Sequence, residues 1–283
     1  MFKNYNIKTL FLKIFSYLNI FKIDFFEKIF KIAFLLTGRN SSSYNIKHEF
    51  LSVLIFIKKV NIFIDIGANK GLYSDLVLKH NNKANAFLIE PNKKSSYFLN
   101  KKYLKKNNIK VLNFSLGLKS KKKTFYSSYN DGLDTCYNRK FQINYETRSN
   151  DIVFRKFRKN YISKCFTFKE IFSNIIFKKK HFNYFPDVDN KIIDLVKIDT
   201  EGSELDILKS MGSVIKKIRI IQFEFGSSNI DTRNFFIEFY ILLKKNKFDI
   251  YRITPGIPRE IDYSYLDENF NNANYIAVNK VLK

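Results

Sequence analysis

With 283 residues, 45% of them apolar, the chain is large enough to bury a core, which excludes an intrinsically disordered protein. Its two cysteines, Cys136 and Cys165, stand far apart without nearby histidine pairs, which excludes a disulfide scaffold and a zinc finger and points to a reducing compartment. The net charge of +24 invites a nucleic-acid or membrane reading, yet Lys, Asn, Ile, Phe and Tyr, whose codons are A- and T-rich, all dominate, so the charge is read mostly as solvated surface.

The first forty residues stand apart. Leu10, Ile14, Leu18 and Phe21 recur at helical spacing, as do Phe26, Ile29, Phe30 and Ala33, with Lys8, Lys13, Lys22, Lys28 and Lys31 between them. Helices packed on the main domain are the preferred reading; a basic amphipathic segment over residues 1–37 on an anionic membrane surface is the alternative. No run approaches the roughly 20 apolar residues of a membrane span, and no export signal is recognisable, so a cytoplasmic location is expected. Residues 38–43, Gly-Arg-Asn-Ser-Ser-Ser, read as a linker. The expected organisation is therefore an N-terminal extension over 1–43 and one domain over 44–283.

From there strands and helices alternate. A helix is predicted over 46–59, a strand over 61–66, a helix over 70–80, a strand over 86–89, a helix over 93–106 and a strand over 109–114. Further strands follow at 192–198 and 218–225, each trailed by a helix, at about 203–211 and 233–245. Strands at 248–253 and 275–278 close the pattern. Such alternation predicts an α/β fold with a mostly parallel sheet and helices on both faces. Between 119 and 189 the pattern breaks: a hairpin strand at 123–129 turns near Asp131-Gly132, and the rest is basic, aromatic and irregular. That segment is read as an insert facing the substrate.

At the first strand's tip stands Asp65-Ile66-Gly67-Ala68-Asn69-Lys70-Gly71. Two glycines let the backbone turn tightly and approach a ligand at a helix N-terminus. A fixed carboxylate in front of them disfavours a pyrophosphate and favours an ammonium group. S-adenosylmethionine carries such an ammonium; NAD offers none there. Glu90 closes the second strand 19 residues after Gly71, the spacing at which an acid accepts hydrogen bonds from ribose hydroxyls. Asp199 and Glu201, in Asp199-Thr200-Glu201-Gly202, fall at the mouth of the crevice beyond the strand ends, and Glu224 lines the same mouth. Glu204 is read instead as a helix-capping acid.

These stretches resemble the FkbM family of S-adenosylmethionine-dependent methyltransferases. The matching runs are residues 63–74, Ile89-Glu90-Pro91, residues 195–208 and Ile221-Gln222-Phe223-Glu224-Phe225-Gly226, with a weaker echo through 251–255 and 274–278. The likeness spans roughly Asn61 to Lys280, the middle insert excepted. It implies a class I methyltransferase fold with a mostly parallel seven-stranded sheet. It further implies methyl transfer from S-adenosylmethionine to a hydroxyl oxygen of a sugar or polyketide-like acceptor. By the family pattern Asp65, Gly67, Asn69 and Gly71 surround the methionine end, Glu90 takes the ribose, and the adenine lies near Ser115-Leu116-Gly117, where Ser115 replaces a commoner Ala.

The donor's methyl group is already activated, so alignment and a general base remain for the protein to supply. A carboxylate among Asp199, Glu201 and Glu224 is the expected base. No metal is assigned, and a divalent cation on those acids ranks below direct base catalysis. His48 and His80 read as surface residues, and His181 is a lesser candidate from the insert. Three rivals are weighed: a nucleic-acid methyltransferase, suggested by Arg155, Lys156, Arg158 and Lys159; a non-catalytic membrane-associated scaffold; and a nicotinamide-dependent dehydrogenase, against which stand the acid at Asp65 and Asn69 in place of a middle glycine. No RNA-binding module and no amine-methylating motif after the fourth strand argue against the first. The expected partner is a small-molecule or glycan acceptor; the sequence sets no oligomeric state.

Overall fold

The computed structural model describes residues 23–41, 45–127, 134–137, 159–177 and 192–282. In chain order it begins with α1 (Ile23–Leu36) and α2 (Ile46–Leu54), then β1 (Ile62–Ile66), α3 (Leu72–His80), β2 (Asn85–Ile89), α4 (Lys93–Lys102) and β3 (Ile109–Leu112). A smaller sheet follows, from β4 (Ser115–Leu116), β5 (Lys121–Ser127) and β6 (Lys159–Phe166), and then α5 (Phe168–Phe177). The chain returns to the main sheet with β7 (Ile193–Ile198), α6 (Glu204–Ser210), β8 (Ile218–Phe225), α7 (Ser228–Thr232) and α8 (Phe236–Lys245). It closes with β9 (Phe248–Arg252), β10 (Arg259–Glu260) and β11 (Ala273–Asn279).

The main sheet runs β10-β9-β11-β8-β7-β1-β2-β3. Strands β8, β7, β1, β2 and β3 run parallel, and β11 lies antiparallel between β8 and β9. The two-residue β10 adds an eighth strand to the seven that the resemblance implies. Every residue of β1 and β7 is buried, because helices cover both faces and apolar side chains fill both sides. One core packs α5, α6 and α8 against the sheet through Phe172, Leu205 and Phe239; the other packs α2, α3 and α4 through Phe50, Val77 and Leu99. Strand order reverses between β1 and β7, and the crevice beyond their carboxyl ends is where open α/β sheets bind ligands.

Several predicted boundaries move. The helix expected to reach 59 stops at Leu54, and the one expected to reach 106 stops at Lys102. The helix expected over 233–245 is split, since Arg233 takes a left-handed conformation (φ 55) that ends α7 before α8 begins. The strand predicted to 114 ends at Leu112, and Ser115–Leu116 already pairs with β6. The insert is less irregular than expected: β5 pairs antiparallel with β6 from Lys121↔Cys165 to Ser127↔Lys159, and α5 follows. The turn expected at Asp131-Gly132 lies outside the described residues, as do His181, Arg155, Lys156 and Arg158 and the helix expected before α1.

The stretch read as a linker is fastened to the domain. Arg252 Nε donates to the Thr37 carbonyl at 2.9 Å, Asn274 N donates to Ser41 Oγ at 2.7 Å, and Ser41 is fully buried. Composition suggests a spacer; non-local hydrogen bonds hold Thr37 and Ser41 to the domain. Helix α1, by contrast, leaves Phe25, Ile29, Phe30, Ile32 and Leu36 exposed rather than packed on the domain. Among the described residues no helix is long and apolar enough to cross a membrane.

Candidate active site

The crevice is built on three strand tips. Beyond β1 the chain turns through Gly67 (φ 84), whose N–H bonds the Ile89 carbonyl at 3.0 Å and so ties the tip to β2. A Cβ on Gly67 would stand 1.8 Å from the Asp199 carbonyl oxygen, so only glycine lets the tips of β1 and β7 approach this closely. Gly71 (φ 71) precedes α3, and a Cβ there would meet Leu99 and the Tyr103 hydroxyl at 2.8 Å. Gly71 therefore serves the packing of α3 on α4, and it does not line the crevice.

Glu90, at the tip of β2, is buried, and each of its oxygens accepts one backbone N–H. Asn69 N reaches Oε2 at 2.8 Å and Asn92 N reaches Oε1 at 2.8 Å. Burial pushes its pKa up to about 7, against the lowering effect of those two bonds. Asn92 also caps α4 and donates through Nδ2 to Asp134 at 2.6 Å; the Tyr161 hydroxyl donates to the same Asp134 oxygen at 3.1 Å.

The loop after β7 is held by Glu204, whose Oε1 accepts from Thr200 N at 2.8 Å and Thr200 Oγ1 at 2.9 Å. Its Oε2 accepts from Gly202 N at 3.0 Å. Glu204 thus acts as a structural acid, in line with its capping role. The loop carries Asp199 and Glu201 to the crevice mouth. With Glu224 of β8 they form a cluster in which one carboxylate oxygen from each residue lies within 4.8 Å of the other two. Burial raises the Glu224 pKa well above its ordinary value, and the charges of Asp199 and Glu201 add to the effect. Lys197 Nζ bonds Asp199 Oδ2 at 2.7 Å. Burial works against the Lys197 ammonium, but Asp199, Glu49 and Asp65 more than offset it and raise its pKa.

The crevice is lined by Gly67, Asn69, Glu90, Ser115, Asp199 and Glu201, six of the nine residues singled out in the sequence. Glu224 joins through the acidic cluster. Asp65 and Gly71 lie off the lining. Alternate residues of a strand face opposite sides, and Asp65 falls on the α3 side with Phe63, where its carboxylate accepts from Ser74 Oγ at 2.6 Å. Burial raises its pKa, with Lys197 opposing. Ser115 donates to the Lys164 carbonyl at 3.2 Å, joining the crevice to the smaller sheet.

Sequence reasoning passed over Asn92, Phe125, Asp134 and Ser203, which line the same space. An Asn opening the helix after Glu90-Pro91 was a usable signal for the first. Asp134 gave none, since it arrives from the insert. There Thr135 Oγ1 donates to the Glu201 carbonyl at 2.9 Å, and Cys136 Sγ lies 3.1 Å from Ser203 Oγ, which fastens the insert over the crevice.

An open sheet of this order, with an antiparallel strand between β8 and β9 and its crevice at the β1–β7 reversal, is the class I methyltransferase fold. The family model described as Methyltransferase FkbM domain matches residues 65–250, and the chain belongs to that family. It is a methyltransferase whose methyl donor is S-adenosylmethionine. No curated protein matches the chain in sequence. Among solved structures it is similar to a putative caffeoyl-CoA O-methyltransferase from Staphylococcus aureus, at 10% identity and a TM-score of 0.42 over 97% of this chain and 100% of that one. It is also similar to an O-methyltransferase from Bacillus cereus, at 10% identity and a TM-score of 0.42 over 94% and 96% of the two chains. The plantazolicin methyltransferase BpumL, at 12% identity and a TM-score of 0.40 over 87% and 89%, is a third.

Proposed function

We propose that this protein O-methylates a hydroxyl of a sugar, glycan or secondary-metabolite acceptor. The observation that carries the proposal is the carboxylate cluster of Asp199, Glu201 and Glu224 at the crevice mouth. The donor set suits the methyl donor. Glu90 turns both oxygens toward the turn that lines the crevice, and an ionised acid there accepts ribose hydroxyls. Asn69 and the bare backbone of Gly67 border the space next to it, and Ser115 with Leu116 offers a wall for a flat base. When bound, S-adenosylmethionine supplies an electrophilic methyl group and a neutral thioether leaving group.

The protein's own residues do the rest. The acceptor oxygen forms its bond to the methyl carbon while its proton passes to a carboxylate of the cluster. Glu224 holds a proton more readily than an ordinary carboxylate, because burial and the charges of Asp199, Glu201 and Glu204 disfavour its ionised form. Lys197 holds Asp199 in place for orientation. A base within hydrogen-bond reach contributes about 10²–10⁴-fold in such a transfer. Single-turnover rates of Asp199→Asn, Glu201→Gln and Glu224→Gln with a hydroxyl acceptor test this. At least one variant is expected to fall by that factor, and three full rates refute it.

The same spacing also suits a hard divalent cation, which favours oxygen ligands, and this is the second reading. Full activity in EDTA separates direct base catalysis from it. Helix α1 supports a further part of the proposal, peripheral contact with an anionic membrane. Its exposed Ile29, Phe30 and Leu36 accompany Lys28 and Lys31, and Lys3, Lys8, Lys13 and Lys22 precede it.

A further inference from the structure

Beside the crevice runs a second groove, along β5. It has a volume of about 520 Å³ and, among the described residues, is lined by Lys119, Lys121, Lys122 and Lys123 with Tyr137 and a single acid, Asp206. A lysine run in a lysine-rich chain is ordinarily a solvated face, so charge alone decides nothing. Three further observations set this one apart.

First, the lysines sit in a concavity, and one of them is positioned. The Lys123 side chain is only 12% exposed, its Nζ lies 4.0 Å from Asp206 Oδ2, and it stands 6.0 Å over the Tyr137 ring. Second, Lys122 lies directly opposite Lys164 across the β5–β6 ladder. Like charges in that register destabilise a sheet, and a bound anion removes the penalty. Third, β5 is the outer strand of its sheet, and among the described residues its free side carries only the Tyr126↔Thr135 bridge. An open strand edge presents backbone N–H donors, which also favour an acceptor-rich ligand.

The groove and the crevice share a wall. Phe125 lines the crevice while its neighbours Thr124 and Tyr126 line the groove, and Ser203 lines the crevice while its contact Cys136 lines the groove. We propose that the groove seats an acidic substituent of the methyl acceptor, a phosphate or a carboxylate on a sugar-sized molecule. The hydroxyl to be methylated then projects over the shared wall toward Asp199, Glu201 and Glu224. This rests on the methyl-transfer reading of that crevice. A small acceptor is favoured over a polynucleotide because the volume is that of a small-molecule cleft, and among the described residues no arginine lines it.

The test is calorimetry at low salt with three probes: inorganic pyrophosphate, D-glucuronate and a single-stranded RNA 12-mer. The full chain is compared with Lys121→Gln/Lys122→Gln/Lys123→Gln. The intact protein is expected to bind at least one small anion, pyrophosphate marking phosphate acceptors and glucuronate marking carboxylate ones. The variant is expected to lose at least about tenfold in that affinity while binding S-adenosylhomocysteine as before. Should the triple variant fail to fold, Lys122→Gln alone, at an exposed position, is expected to lose a few-fold. Absent binding of both small anions, or unchanged affinity in the variants, overturns the proposal. So does RNA binding more tightly than either, with a steep salt dependence. Loss of S-adenosylhomocysteine binding by the intact protein, with anion binding kept, instead refutes the donor site.

Discussion

Replacing Glu90 by Gln tests the crevice through a change of one atom type. Each Glu90 oxygen accepts one backbone N–H, from Asn69 and Asn92. The amide keeps one acceptor and turns the other into a donor, so one N–H is left facing an NH₂. A buried donor without a partner costs about 1–3 kcal/mol. Against this, the amide has no proton to release. Unfolded glutamate ionises near its ordinary value of 4.5, whereas folded Glu90 holds its proton until about 7. Between those values the folded state binds more protons, so wild-type stability falls as pH rises through the window. At about 1.4 kcal/mol per pH unit the loss is roughly 3 kcal/mol. The wild type is therefore expected to be the more stable protein at pH 5, by about 1–3 kcal/mol, and to lose that lead by pH 8. Urea denaturation of both proteins at pH 5, 6, 7 and 8 reads the difference, and a gap that stays constant across this range refutes the reasoning. Binding moves the other way: ribose hydroxyls donate best to an ionised acid. At pH 8 the variant is expected to bind S-adenosylhomocysteine about 10- to 100-fold more weakly, from the loss of charge-assisted bonds.

Gly67→Ala is expected to destabilise by about 2–4 kcal/mol, since its Cβ meets the Asp199 carbonyl at a positive φ; a loss below about 0.5 kcal/mol in denaturation contradicts that. Lys197→Met leaves Asp65 and Glu49 without their buried cation, and a loss of roughly 3 kcal/mol is expected by the same assay. Turnover should also fall as Asp199 loses its tether; an unaltered melting curve together with unaltered turnover would count against the network. Flotation with anionic phospholipid vesicles is expected to carry the full chain upward and to fail for Ile29→Asn/Phe30→Asn. Equal flotation of both proteins removes α1 from any membrane role.

The sheet was readable because parallel strands covered on both faces are continuous apolar runs: 218–225 was predicted with the boundaries of β8 itself. The same property hid the side of the sheet that Asp65 faces. In a strand buried on both faces no alternation of polar and apolar residues reports which side chains point toward the crevice. The acidic residues beyond the strand ends, Glu90, Asp199 and Glu201, escape that ambiguity, and all three line the crevice. Strand β6 was not legible because its partner β5 lies more than thirty residues earlier, and no local turn announces the pairing. Asp134 was invisible for the same reason. Within the stretch at 38–43, Gly and Ser describe a flexible composition, whereas Asp267 and Asn274, far along the chain, hold its described residues Arg39 and Ser41.

A crystal structure with S-adenosylhomocysteine tests the central claim most directly. The account predicts one molecule in the crevice beyond β1, β2 and β7. Its ribose hydroxyls should lie within about 3 Å of the Glu90 carboxylate, its amino-acid end against Gly67 and Asn69, and its sulfur facing Asp199, Glu201 and Glu224. Ligand density elsewhere, or a ribose that leaves Glu90 uncontacted, contradicts it.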